Sequence, residues 1–134
     1  MAEAVKDRAA MIASMAPRLD DTMYHFCTSV APDVDRSSAL AIFEEEEGCS
    51  LVLSDAVAEA RGFDRTQPMA RITLMVHSAL DGVGLTAAVA EALAAHDIPC
   101  NMVAAFHHDH AFVPWARREA AHDILKTLSK EGAT

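Results

Sequence analysis

Residues Arg71–Pro114 read RITLMVHSALDGVGLTAAVAEALAAHDIPCNMVAAFHHDHAFVP, and the succession of patterns in this stretch decides the fold. Met69 to His77 alternates as a strand, with Ile72, Leu74 and Val76 on one side and Arg71, Thr73, Met75 and His77 on the other. Leu80 or Asp81 then opens a helix to about Ala95, whose buried stripe is Leu85, Val89 and Leu93 at i, i+4 and i+8. Asn101 to Phe106 and Ala111 to Val113 follow as a hairpin with His107-His108-Asp109-His110 at its tip. Two features of this βαββ unit carry chemistry, a glycine-marked turn and a histidine-rich tip.

The turn Ser78 to Thr86 joins strand to helix. Free backbone N–H groups at a helix start attract a carboxylate or other anion, and Gly82 and Gly84 let a ligand approach the backbone. The alternative is that both glycines only let helix and strand pack closely. The turn has no GK[ST] sequence, and GxGxxG is incomplete because Ala87 follows Gly84, so neither nucleotide motif is present. At the tip, His107, His108 and His110 with Asp109 offer enough ligands for zinc or nickel. Neighbouring strand side chains point to opposite faces, which works against their acting together. The other reading is a solvated hairpin tip.

The same grammar recurs upstream. A short helix spans Ala4 to Met15 and Pro17 stops it. Met23 to Val30 is a strand, and Ala31 to Ser38 a polar loop. Ala41 to Glu47 and Ser50 to Leu53 form a hairpin, with Gly48 supplying the turn. Ser54-Asp55 caps an alanine-rich helix ending near Gly62. The polar stretch Phe63 to Pro68 is the candidate boundary between two half-domains, 1–66 and 67–134. Downstream, Pro114 introduces a last helix with Ala121, Ile124, Leu125 and Leu128 inward. The reading is an α+β chain of antiparallel sheets with helices on one face.

Composition narrows the partners. The chain has 134 residues, 51% of them hydrophobic, enough for a real core, and a net charge of −9. That charge argues against nucleic acid, which needs a basic face. No apolar run approaches the ~18 residues of a membrane span. The first fifteen residues are charged throughout, so no signal peptide is expected and a cytoplasmic location is. Cys27, Cys49 and Cys100 are isolated, without CxxC pairing, and read as small buried hydrophobes. Glu44 to Glu47 reads as a solvated strand edge or as a receptor for a ligand ammonium group. His25 and His77 read as hydrogen-bonded sheet residues, and no catalytic ordering of Ser, Cys, His and Asp is present. No enzyme activity and no cofactor are expected.

The segments FEEEEGCSLVL (Phe43 to Leu53), RITLMVHSALDGVGLTAAVAEALA (Arg71 to Ala94) and NMVAAFHHDHAFVP (Asn101 to Pro114) resemble a bacterial family of short tandem ACT-domain proteins. The resemblance runs from about Met11 to Leu128. It implies two ferredoxin-like, ACT-like halves, the first incomplete, and a regulatory module that binds an amino acid or a related small metabolite. Carried over by position, it implies a ligand wall of Ser78, Leu80, Asp81, Gly82, Val83, Gly84 and Leu85. Asn101, Met102 and Val103, with Ala104, would be the facing surface. Between Val30 and Ala41 a polar loop replaces a helix of the family pattern, so an equivalent second site is not expected there. At 134 residues, no catalytic domain to regulate in cis is expected. Regulation would act on a separate partner or through assembly, with a homodimer as the default. Two alternatives to the sensor stay open: a metal-binding or hydrolytic protein organised by the histidine tip, with His107, His108 and His110 as ligands, and a purely structural interaction module.

Overall fold

Alternation along β4 (Met69–Leu74) sets the layering: Ala70, Ile72 and Leu74 are fully buried toward the helices, while Arg71 and Thr73 look the other way. The computed structural model describes residues 7–76 and 83–132. Its order is α1 (Arg8–Ala13), β1 (Pro17–Ser29), β2 (Ala41–Glu45), β3 (Gly48–Ser54), α2 (Asp55–Ala60), β4, α3 (Leu85–Ala94), β5 (Asn101–Ala104), β6 (Asp109–Pro114) and α4 (Arg118–Gly132). A single 3₁₀ turn, Trp115–Arg117, links the last two. The chain divides into two compact units, one of residues 1–20 and 70–134, the other of residues 21–69.

In the larger unit the strand order is β1–β4–β6–β5, where β1 contributes its first residues. β5 and β6 are antiparallel, with Asn101 opposite Phe112 and Val103 opposite His110. One face of this sheet carries α1, α3 and α4. Met11, Ile12 and Met15 of the first helical segment, Leu85, Val89 and Leu93 of α3, and Ala121 and Leu125 of α4 close on Ile72, Leu74, Ala111 and Val113. Removing each of the larger side chains among these from water stabilises the fold by about 1.5–3 kcal/mol. The inward stripes expected for α3 and α4 are the ones observed. Ser129 Oγ donates to the carbonyls of Ile12 (2.9 Å) and Ala13 (3.2 Å), satisfying the end of α1 from the far end of the sequence.

The smaller unit orders its strands β2–β3–β1, all antiparallel. Its core is Cys27, Cys49, Leu51, Leu53 and Ala58, with Val57 and Phe63 packed against it. Ser54 Oγ accepts from Val57 N (3.3 Å) and caps α2, as its sequence position predicts. The three cysteines are free thiols in packed surroundings, and burial pushes those of Cys27 and Cys100 above the usual range.

Four expectations change. β1 starts at Pro17, six residues before the expected Met23, because Leu19 points to the core while Asp20 is held by Arg71 on the other face. The β2–β3 turn is Glu46-Glu47, so only Glu44 and Glu45 of the acidic run are strand residues. Gly48 is instead the first residue of β3, at φ 148°, where a Cβ would lie 2.7 Å from the Ser29 carbonyl oxygen. The second hairpin turns at 105–108, closed by Ala105 N to His108 O at 3.1 Å, so Asp109 and His110 belong to β6. The expected helix start at Leu80 or Asp81 lies outside the described residues, and the described helix begins at Leu85.

Candidate functional site

The start of α3 is built around Gly84. It takes a left-handed backbone, φ 104°, and precedes the helix without any side-chain cap. The first N–H groups of a helix lack intrahelical acceptors, so this end carries partial positive charge, and no side chain among the described residues caps it. Arg8, from α1, lies across the same spot: a Cβ on Gly84 would sit 2.8 Å from Arg8 Cδ and 3.3 Å from its Nη1. The backbone angle favours glycine here, and any added side chain would also displace the arginine stem. A guanidinium beside a helix N-terminus is electrostatically unfavourable unless an anion joins it. Sequence reasoning missed Arg8, because only the packing of α1 beside α3 brings it there.

Of the other residues read as a ligand wall, Ser78, Leu80, Asp81 and Gly82 lie outside the described residues, as does His77. Val83 is exposed (78%) and Leu85 is buried in the core. On β5, strand alternation separates the expected facing residues. Met102 packs toward the helical core, whereas Asn101 and Val103 share the opposite face with Phe112 and His110.

The histidine tip disperses. His107 is exposed and meets Phe106 edge to face, 5.0 Å between centroids. His108 Nδ1 lies 3.4 Å from the Val76 carbonyl, and His110 Nδ1 lies 3.0 Å from Thr73 Oγ1. Among the described residues, no three His, Cys, Asp or Glu side chains are arranged to hold a metal ion. The acidic run is solvated: Glu44 pairs with Arg36 at 2.6 Å, Glu45 accepts from Ser50, and Glu46 and Glu47 are exposed. His25 is a hydrogen-bonded sheet residue, its Nε2 2.6 Å from Asp55 Oδ1. Arg65 braces the same carboxylate (3.0 Å), and these two partners, Arg65 first, hold Asp55 down to about 2.

The ACT-domain family matches twice in tandem, over residues 3–70 and 68–127. The chain belongs to the ACT-domain family. This ACT protein is similar to a Vibrio cholerae protein of unknown function described as a possible transport protein, at 37% identity, covering 90% of this chain and 94% of that one (TM-score 0.81). An Agrobacterium tumefaciens protein aligns at 18% identity over 81% of this chain and 83% of its own (TM-score 0.65). The ligand-free regulatory subunit of Thermus thermophilus aspartate kinase aligns at 11% identity over 86% of this chain and 97% of its own (TM-score 0.61), a likeness of fold. No curated protein matches the sequence. These comparisons bear out the tandem ACT, ferredoxin-like reading, and ACT domains are regulatory modules rather than catalytic ones. No helix among the described residues is long and apolar enough to cross a membrane.

Proposed function

We propose that this ACT protein is a regulatory sensor that binds an amino acid at the Ser78–Thr86 turn and has no catalysis of its own. In this reading the turn from Ser78 to Leu85 is the ligand wall and Asn101, Met102 and Val103 are the neighbouring strand surface. The sequence halves 1–66 and 67–134 are its two ACT modules, working as a cytoplasmic homodimer that acts on a separate protein. The observation that carries the reading is the start of α3 at left-handed Gly84, with Arg8 laid over it and no side-chain cap among the described residues. A ligand carboxylate there would accept from the helix N–H groups and pair with the guanidinium.

A thermal-shift screen of the twenty amino acids tests it. A true ligand at about 100 times its Kd adds about 2.7 kcal/mol of stability. The absence of stabilisation by every one of them, with the protein folded, would refute the reading. Arg8→Gln is expected to weaken binding while leaving the melting temperature of the free protein nearly unchanged. Gly84→Val is expected to abolish binding, since its Cβ has no room beside Arg8.

A further inference from the structure

The face of the larger unit's sheet opposite its helices bears a polar row that the reading above does not use. Arg71 donates to Asp20 Oδ2 through Nη2 (2.8 Å) and Nε (3.2 Å), and Met75 N donates to Met15 O (2.6 Å). These two contacts run the chain antiparallel to β4 and put Arg18, two residues before Asp20, on the same side of the sheet as Arg71 and Thr73. On the other side of Thr73, His110 of β6 shares a hydrogen bond with the threonine hydroxyl (3.0 Å). A short, buried threonine (3% exposed) thus shares this face with an exposed arginine, a half-buried histidine and Arg71.

This row gathers two arginines on one sheet face of a chain whose net charge is −9. Arg36, Arg61, Arg65 and Arg71 each have a carboxylate partner. Arg18 has none among the described residues. His110 faces Arg18 from β1, Arg71 from β4 and His108 from the hairpin tip, with Asp109 beside it on its own strand and Asp20 bound to Arg71. Burial first, then these positive neighbours, hold its pKa below the usual histidine range. Among the described residues Arg18 is therefore the cation of this row left for an incoming anion to pair with.

We propose that Arg18, Thr73 and His110 form an oxyanion-binding site on the helix-free sheet face, taking a carboxylate or phosphate group between the Arg18 guanidinium and His110 Nε2. Protonated His110 keeps its Thr73 contact by donating through Nδ1 and donates through Nε2 to the anion. Binding an anion offsets the surrounding positive charge, so it takes up a proton at His110 and strengthens as pH falls. The site is independent of the α3 turn, so either proposal stands if the other fails.

The test follows the His110 ring by NMR while sodium phosphate or sodium acetate is added at constant ionic strength, at about pH 6 and about pH 8. Saturable one-site shifts are expected, tighter at the lower pH. Arg18→Gln should weaken them about tenfold, the loss of one charge-assisted hydrogen bond. Saturation by phosphate alone assigns a phosphate-bearing ligand, and saturation by acetate as well assigns carboxylates. Gly84→Val should leave these shifts unchanged. Non-saturating shifts with both anions would overturn the proposal, as would equal affinity at the two pH values or an Arg18→Gln variant that binds normally. Arg18 is exposed, so its replacement tests the site without threatening the fold.

Discussion

The two compact units reach stability by different means. In the larger one, three helices and a sheet enclose a continuous apolar core running from Met11 through Leu74 and Leu93 to Leu125. The smaller one has a single six-residue helix and a short core of small side chains, Cys27, Cys49 and Ala58, around Leu51 and Leu53. It adds polar ties: His25–Asp55–Arg65, Arg61 to the Asp35 carboxylate (2.6 Å) and carbonyl (2.7 Å), and Arg36–Glu44. Exposed ion pairs contribute little each and are screened by salt. The smaller unit should therefore be the more sensitive to acid and to ionic strength, and the larger one to cavities.

Leu93→Ala is expected to have the largest effect. Leucine-to-alanine changes in cores cost about 2–5 kcal/mol, and this side chain is fully buried among close-packed helices that cannot collapse onto the void. Leu53→Ala, equally buried, should fall toward the low end of that range, because its smaller surroundings relax more easily. Urea unfolding of both variants makes the comparison, and a larger loss at Leu53 would reverse it. Gly48→Ala comes next, at about 1–3 kcal/mol, since its added Cβ meets the Ser29 carbonyl oxygen at 2.7 Å in a left-handed backbone.

The order of these effects also shows what was legible in advance. Apolar stripes on α3 and α4 and the alternation in β4 could be read because one dominant period encodes each. The start of β1 was hidden because Arg18, Asp20 and Asp21 look like loop residues until Arg71 is seen to hold Asp20 across 51 positions. Gly48 was read as a turn residue, yet its reason is a steric contact with Ser29 on a strand 19 positions earlier. The histidine tip looked like a ligand set because adjacency in sequence resembles adjacency in space. Pairing of Val103 with His110 and Ala104 with Asp109 instead draws the last two residues into β6. At the candidate site the glycine was visible and its arginine was not, since contacts between distant segments leave no periodic trace.

A smaller effect, confined to one pH window, separates the units electrostatically. Asp55 is held at about 2 by hydrogen bonds from Arg65 and then His25, against about 3.9 for an unfolded aspartate. A depressed carboxylate contributes stability that is complete above the unfolded value and lost as pH falls toward the folded one. Asp55→Asn should therefore destabilise the smaller unit at pH 7, and its difference from the parent should shrink between about pH 4 and about pH 2. Amide exchange in residues 21–29 and β3 against that in β4 and β6 reads this unit by unit. An equal change in both sets would mean that the tie does not belong to the smaller unit alone.

The smallest effect tests the larger unit where it departs from good packing. Asp97 follows α3 at φ 56°, an angle that costs an ordinary residue roughly 1 kcal/mol and glycine nothing. The helix closes there through Asp97 N to Ala94 O (3.0 Å) and Ile98 N to Leu93 O (3.1 Å), and this pattern depends on that angle. Asp97→Gly keeps both bonds and removes the steric penalty. It also frees the unfolded chain, which offsets part of the gain. The expected result is stabilisation by about 0.5 kcal/mol, within reach of paired urea titrations. Asp97→Val should move the other way, because a β-branched side chain fits the left-handed region poorly. If both variants left the midpoint unchanged, the turn would not be holding Ile98 in the core, and the larger unit's stability would rest on its helices alone.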